Sequence, residues 1–358
     1  MAAVDSGQGQ VEASTLLPDS QLDNPQSIEE PTEEPAENSR SVVPYLLETS
    51  PEFRELSDVR QRGWETPEDD KYLANMRRNA DKSDEKTSVD FHKLMNTLGQ
   101  EIDTATNAFK IRQVDSTPPA ILDICMAPGA FLEIALRKNR GSHALAFSLP
   151  VSCGGYRSRL ASGLNAKRVF LDVTMLAADM DVDRIPEGHE DAENFCPGNL
   201  KKVGFLIWSY VLRQHTHAPY QEGREAKRLA TAQLALGLQH LTPSGTIVVF
   251  LHRLEAWNIV NLIRTFHKIS SVRLFKPTTV HAKRQHPEAI EAVKRWKIIW
   301  RVATFASDEE YRKVILDEDP SVETLLEDFG PELVKLGKEI WKIQANALAD
   351  APFMKKSE

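Results

Sequence analysis

The chain of 358 residues, 41% hydrophobic and 27% charged, has an ordinary globular balance and the length for one large α/β domain with appendages, or for two small domains. No apolar run approaches the roughly 20 residues of a membrane span, and no basic and apolar leader opens the chain. Cys125, Cys153 and Cys196 have neither C-x-x-C spacing nor the density of a disulfide framework, so the expectation is an intracellular protein, cytoplasmic or nuclear and not secreted, without a metal site.

The net charge of −8 conceals a split. Residues 77–304 carry about +10, which leaves about −18 on the two ends. A basic centre suits a polyanionic partner such as RNA. Solvated Lys and Arg on helix surfaces would account for it equally well.

Residues 1–43 form an acidic tail, rich in Pro, Ser, Gln and Glu and nearly free of aromatics. Such a segment buries too little to offset its chain entropy, and disorder is expected. Residues 44–119 read as a helical lead-in, in which Phe91, Leu94, Met95, Leu98 and Ile102 recur at helical spacing. Residues 120–305 then alternate strand and helix, the pattern of a doubly wound sheet. Strands are expected at 120–125, 143–148, 167–171, 203–208, 245–251 and 271–275, and crossover helices at 130–139, 222–240 and 255–267. Leu234, Leu238 and Leu241 give the second of these helices its buried stripe. A further helix at 286–301 presents Ile290, Val293, Trp296 and Trp300 on one face. Residues 306–358 form an acidic helical extension around Leu333, Leu336 and Ile340, either docked on the domain or offered to a protein partner.

The most informative stretch is Ile121-Leu122-Asp123-Ile124-Cys125-Met126-Ala127-Pro128-Gly129-Ala130-Phe131-Leu132. A buried strand runs through a turn of small residues into a helix N-terminus, which is where nucleotide-like ligands bind in open α/β sheets. Gly129 permits a backbone geometry and a closeness of approach that a side chain would forbid. No G-x-G-x-x-G is present, which points away from a dinucleotide. An ordinary strand-to-helix turn with a chance Pro-Gly is the bland alternative.

Asp-x-x-x-Ala-Pro-Gly resembles the S-adenosylmethionine (SAM) loop of FtsJ-like, RrmJ-type ribosomal RNA ribose 2′-O-methyltransferases. The resemblance covers roughly residues 90–284, in divergent and partly degenerate form. It implies a Rossmann-like class I methyltransferase sheet with flanking helices and SAM as cofactor. On that resemblance Asp123 orients the loop or accepts from the SAM amino group. The backbone around Ala127, Pro128, Gly129 and Ala130 packs against the methionine portion, and Met126 and Phe131 complete the candidate cofactor-binding set. Asp172, in Leu171-Asp172-Val173-Thr174, contacts the adenine amino group, or else is a turn cap. At the end of the second strand the family offers an acid to the ribose, where this chain has Ser148, a weaker partner.

The family's Lys-Asp-Lys-Glu set is matched poorly. Lys93 is the candidate first lysine. Trp208 or Ser209 stands where the aspartate belongs, and Phe250 where the second lysine belongs, with His252 and Arg253 just beyond. His252 is of the residue type able to exchange a proton near neutral pH, whereas Arg253 stays charged and can hold a phosphate. After the Lys276-Pro277 segment the glutamate-bearing strand reads as missing, because Arg284 leads through Gln285-His286-Pro287-Glu288 into a helix. The expectation is therefore a sheet lacking its last strand. Either RrmJ-type catalysis is lost, or substitutes such as His252 serve, or coding sequence near Arg284 has been skipped.

Three functions follow: a SAM-dependent methyltransferase acting on RNA ribose 2′-hydroxyls, a non-catalytic SAM- or RNA-binding module on the same fold, and a small-molecule methyltransferase with an apolar lid drawn from residues 44–114. Arg264, Lys268, Arg273, Lys276, Lys283 and Arg284 form a candidate RNA-binding strip, with surface solubility as the alternative. His215 and His217 lack further ligands and read as a polar loop.

Overall fold

The computed structural model describes residues 41–64, 85–111, 118–196, 200, 206–209, 224–242, 245–251, 253–275, 279–282, 287–318, 320–351 and 354. The tail before residue 41 therefore lies outside the described residues. In chain order the elements are α1 (Val43–Thr49), α2 (Pro51–Trp64), α3 (Glu85–Thr106), β1 (Ala120–Asp123), α4 (Ala130–Lys138), β2 (His143–Ser148), β3 (Ala166–Phe170) and β4 (Leu206–Ser209). They continue with α5 (Glu225–His240), β5 (Thr246–Val249), α6 (Trp257–Ile269), β6 (Ser270–Arg273), β7 (Thr279–Ala282), α7 (Pro287–Phe305), α8 (Asp308–Glu318) and α9 (Val322–Ala349).

One sheet of order β3-β2-β1-β4-β5-β7-β6 runs through the molecule, with helices against it. Ile121 and Leu122 are fully buried, and every residue of β5 is buried, as expected for central strands covered on both faces. The pairs β3–β2, β2–β1, β1–β4 and β4–β5 are parallel, whereas β7 is antiparallel to both β5 and β6. From β1 the chain winds outward to β3, then crosses back to β4 and winds the other way. The reversal falls between β1 and β4, and ligands of open α/β sheets bind outside the carboxyl ends of the strands at such a point.

The expected strands and crossover helices are all present with small shifts of boundary. The seventh strand corrects the reading of a truncated sheet. Thr279–Ala282 pairs with β5 through Thr246↔His281, Ile247↔Val280 and Val248↔Thr279, and with β6 from Ser270↔Ala282 to Arg273↔Thr279. Only four residues long, it lies between Lys276-Pro277 and Pro287 and has no apolar run to announce it. A second correction concerns α7. Ala289, Ala292, Trp296, Ile299, Trp300 and Ala303 are buried, whereas Ile290 is 52% exposed. Alanines complete that face, so a count of large apolar residues turns the helix too far.

Leu234, Leu238 and Leu241 are buried with Trp296 and Trp300 in the core between α5, α7 and the sheet. A separate apolar core joins α1, α2 and α9 to α6. There Leu46, Leu325, Leu333 and Trp341 are fully buried beside Phe53, Phe329 and Ile263. Phe53 meets Trp341 edge-on at 5.2 Å between ring centroids. The apolar face of the C-terminal helix is thus spent inside the chain. Among the described residues no helix is long and apolar enough to cross a membrane.

Candidate functional site

At the carboxyl end of β1 the chain cannot continue as strand, because Pro128 lacks an N–H and Gly129 takes φ +113°. Gly129 sits at the N-cap position of α4, and its carbonyl accepts from Glu133 N at 3.0 Å, which starts the helix. The turn is pinned on one side by Met126 N donating to Phe147 O of β2, at 2.8 Å. On the other side Arg159 N donates to Pro128 O at 2.8 Å, and Ser158 Oγ lies 3.4 Å from Met126 Sδ. Leu160 packs over Gly129: a Cβ on that glycine would come within 3.2 Å of Leu160 Cβ. The close approach that Gly129 permits is thus taken up in this structure by the 156–160 segment, a strap laid across the turn.

A crevice opens beside this turn. Among the described residues it is lined by Asp123, the run Cys125–Phe131, Val248 and Phe250 from the end of β5, and Phe91 and Met95 from α3. About 440 Å³ lies between these atoms if the open mouth is counted, but the space that a water-sized sphere can reach is about 30 Å³, enough for about two waters. Phe131 stacks on Phe250 at 5.2 Å and on Phe109 at 6.0 Å, so the wall toward α4 is aromatic.

Asp123 is the ionisable carboxylate of this lining. Its Oδ1 accepts from Cys125 N at 3.0 Å, a bond that holds the turn closed. Burial disfavours its charge, and despite that bond its pKa is raised to about 7. Burial, aided by the neighbouring Asp123 charge, pushes the Cys125 thiol up to about 12, so it is no ready nucleophile. A buried carboxylate with a raised pKa, set in an apolar crevice, marks a candidate site.

The structure brings Asp123, Met126, Ala127, Pro128, Gly129, Ala130 and Phe131 together around the crevice. It places the other candidates elsewhere. Ser148 is buried at the end of β2, where its carbonyl accepts from Leu171 N at 3.0 Å, and it is not part of the lining. Asp172 caps the 3-10 turn Val173–Met175, accepting from Thr174 N at 2.9 Å and Thr174 Oγ1 at 2.8 Å. Its capping alternative is the arrangement observed. Lys93 belongs to α3 but points to solvent, 72% exposed and 3.4 Å from Asp90. Arg253 is drawn away by Glu255, with Nε 2.9 Å from Oε1, and His252 lies outside the described residues.

Backbone register places the remaining expected positions. Trp208 of β4 is level with Asp123 and with Val248 in strand register, and the Leu206–Ser209 sequence carries no carboxylate. Phe250, at the place of the second lysine, lines the crevice as an aromatic wall. Strand β7 reads Thr-Val-His-Ala and brings no glutamate. Phe91 and Met95 are the lining residues that sequence reasoning assigned only to a helix face. Their i, i+4 spacing marks a shared face but not what that face meets.

Glu255 holds a second cluster just past β5. Its carboxylate accepts from Arg60 of α2 at 2.6 Å as well as from Arg253, with the side chain of Glu255 2% exposed and that of Arg60 9%. Burial acts to raise the Glu255 pKa, but the charges of Arg60 and Arg253 outweigh it and hold the carboxyl below its usual range. In the proposed RNA strip, Arg264 and Lys268 both engage Asp328 of α9, at 2.7 and 3.6 Å. Arg273 is exposed, and Lys276, Lys283, Arg284, His215 and His217 lie outside the described residues. Among the described residues no three His, Cys, Asp or Glu are grouped to hold a metal.

No family model matches the sequence, and no curated protein matches it. Among solved structures the chain is similar to an O-methyltransferase family protein from Burkholderia thailandensis, at 13% identity and a TM-score of 0.34. The match spans 57% of this chain and 61% of that one, less than two thirds of its length. A likeness at that level says nothing of function, and the crevice has to be read from its own residues.

Proposed function

We propose that this chain is a SAM-dependent methyltransferase of the FtsJ-like type, with RNA ribose 2′-hydroxyls as the acceptor class that the resemblance implies. One observation carries the reading. The Asp123–Gly129 turn, with its Asp-x-x-x-Ala-Pro-Gly sequence, lies at the carboxyl end of β1, at the point where the sheet reverses its winding and beside a crevice holding a buried carboxylate.

The residues fit the cofactor in part. Asp123 suits the ammonium of the methionine end, and the small residues Ala127, Gly129 and Ala130 suit close main-chain approach. The enclosed room of about 30 Å³ is far below the roughly 300 Å³ at which ligand pockets begin, so the nucleoside needs space that the closed form lacks. When bound, SAM would supply an electrophilic methyl group. The chain's own part is to exclude water with Phe91, Met95, Phe131 and Phe250 and to hold the ammonium on ionised Asp123. Alignment alone can supply much of the rate of a methyl transfer.

A second reading is a SAM- or RNA-binding module without catalysis. It is favoured by the absence of a carboxylate at Trp208, Ser209 and throughout β7, and by the outward course of Lys93. Calorimetry with SAM, and transfer of labelled methyl to total RNA, separate the two. Binding and transfer are expected for the enzyme, binding alone for the module. Neither binding nor transfer would discard the methyl-donor reading.

A further inference from the structure

Helix α3 is anchored unequally along its length. Toward its C-terminal end Ile102 is fully buried, Lys138 of α4 pairs with Asp103 and bonds Asn107 at 2.7 Å, and the buried Asn139 amide bonds Phe109 O at 2.6 Å and Ile111 N at 2.9 Å. At Gly99 the helix touches α4, since a Cβ there would come within 2.5 Å of Ile134 and 2.7 Å of Phe131. Beyond Gly99, toward the N-terminus, the helix runs beside the crevice. It puts Phe91 and Met95 into the space beside Asp123. Among the described residues, one side-chain hydrogen bond ties this half to the rest of the chain, Arg159 Nε to Ser88 Oγ at 3.0 Å. Phe91 adds a stack on Tyr156, with centroids 5.6 Å apart. Both contacts reach the 156–160 strap, which is itself fixed to the turn through Arg159 N and Leu160.

From this asymmetry we infer that the N-terminal half of α3 is a lid over the crevice, latched to the strap by Ser88–Arg159 and Phe91–Tyr156 and hinged where Gly99 meets α4. Among the described residues the latch is one exchangeable hydrogen bond and one ring pair, contacts that can break and re-form. Opening withdraws Phe91 and Met95 and widens the crevice without disturbing the sheet. Closing returns an apolar cover that excludes water from the carboxylate. The existence of the lid is independent of the occupant. That the occupant is a methyl-donor nucleoside rests on the function proposed above.

Cys125 lines the crevice under the lid and reports its state without any ligand. In a chain carrying Cys153→Ser and Cys196→Ser, alkylation by iodoacetamide at pH 8 is followed by mass spectrometry. The raised pKa of Cys125 already slows its reaction in the folded chain, so the lid is tested by the difference between latched and unlatched folded chains. Ser88→Ala with Phe91→Ala on one side of the latch, and Tyr156→Ala on the other, should each speed the reaction at least tenfold while circular dichroism stays native. Equal rates with and without the latch contacts would overturn the lid. Hydrogen exchange on the unaltered protein decides the matter if a variant unfolds: amides around Phe91–Met95 should exchange at least tenfold faster than those around Ile102, and equal protection would also overturn it. SAM is then added to the latched and unlatched chains. Slower Cys125 alkylation in both supports the methyl donor, whereas lid behaviour with no SAM effect keeps the lid and removes the donor.

Discussion

Helices α3 and α9 both lay an apolar face on the sheet domain, yet they are held in different ways. Helix α9 buries Leu325, Phe329, Leu333 and Trp341 almost completely against α1, α2 and α6, and Gly330 lets Tyr45 of α1 come within van der Waals reach. Helix α3 buries Met95 over the crevice but leaves Phe91, Leu94 and Leu98 half-covered. Burial of large side chains is worth about 2 kcal/mol each, so the four of α9 anchor it more deeply than the outer half of α3, which has buried Met95, three half-covered apolar residues and its latch. The contrast separates a scaffold, which has to stay shut, from a cover that has to move.

The sharpest way to break that contrast is to remove the largest buried side chain of the scaffold. Trp341→Ala should cost about 4 kcal/mol in urea unfolding, and a loss below about 1 kcal/mol would mean that α9 is no more firmly seated than α3. Glu255→Gln comes next. It leaves the Arg60 charge buried beside a neutral group, for an expected loss of about 3 kcal/mol.

Two of the buried carboxylates, Glu255 and Asp123, should also respond to pH in opposite senses, which sharpens the same division. Glu255 on the scaffold side has a lowered pKa, so the stability it provides is present above the ordinary glutamate value of 4.5 and is lost as pH falls below it. Asp123 in the crevice has a pKa raised from 3.8 to about 7, so the folded state holds a proton that the unfolded state has released between those values. Its contribution to stability therefore declines as pH rises from about 4 to about 7 and is level above. Asp123→Asn should abolish that decline, raising stability by a few kcal/mol at pH 8. It should also weaken SAM binding at least tenfold, a loss that calorimetry would measure. In the unaltered chain SAM affinity should grow as pH rises toward about 7, because the ammonium prefers ionised Asp123. The smallest effect belongs to Lys93→Ala, which should change neither stability nor methyl transfer by more than about 0.5 kcal/mol, given its exposed pairing with Asp90. A large loss of transfer would return Lys93 to the site.

Much of the sheet was legible because its central strands and crossover helices obey two different periods, as Ile121-Leu122 and Leu234-Leu238 illustrate. β7 was not, since Thr279–Ala282 owes its place to pairing with strands on both sides rather than to an apolar pattern of its own. The turn from Asp123 to Gly129 could be read from residue type, because proline and glycine act locally. Neither the strap nor the latch could be. Arg159 and Ser88 are 71 residues apart in sequence, and nothing local marks either as the other's partner. For Asp172 both alternatives could be written from sequence, and the hydrogen bonds to Thr174 decide the local geometry in favour of the cap.

The ion cluster of Arg60, Glu255 and Arg253 ties α2 to the segment that follows β5. Excising the opening helices to obtain a minimal sheet would leave Glu255, in its dry setting, facing Arg253 alone and would strip the cover from Phe329 and Trp341. The segments that flank the sheet in sequence are thus part of its foundations. Shortening the protein from its N-terminal side past Arg60 should yield aggregation rather than a smaller working domain.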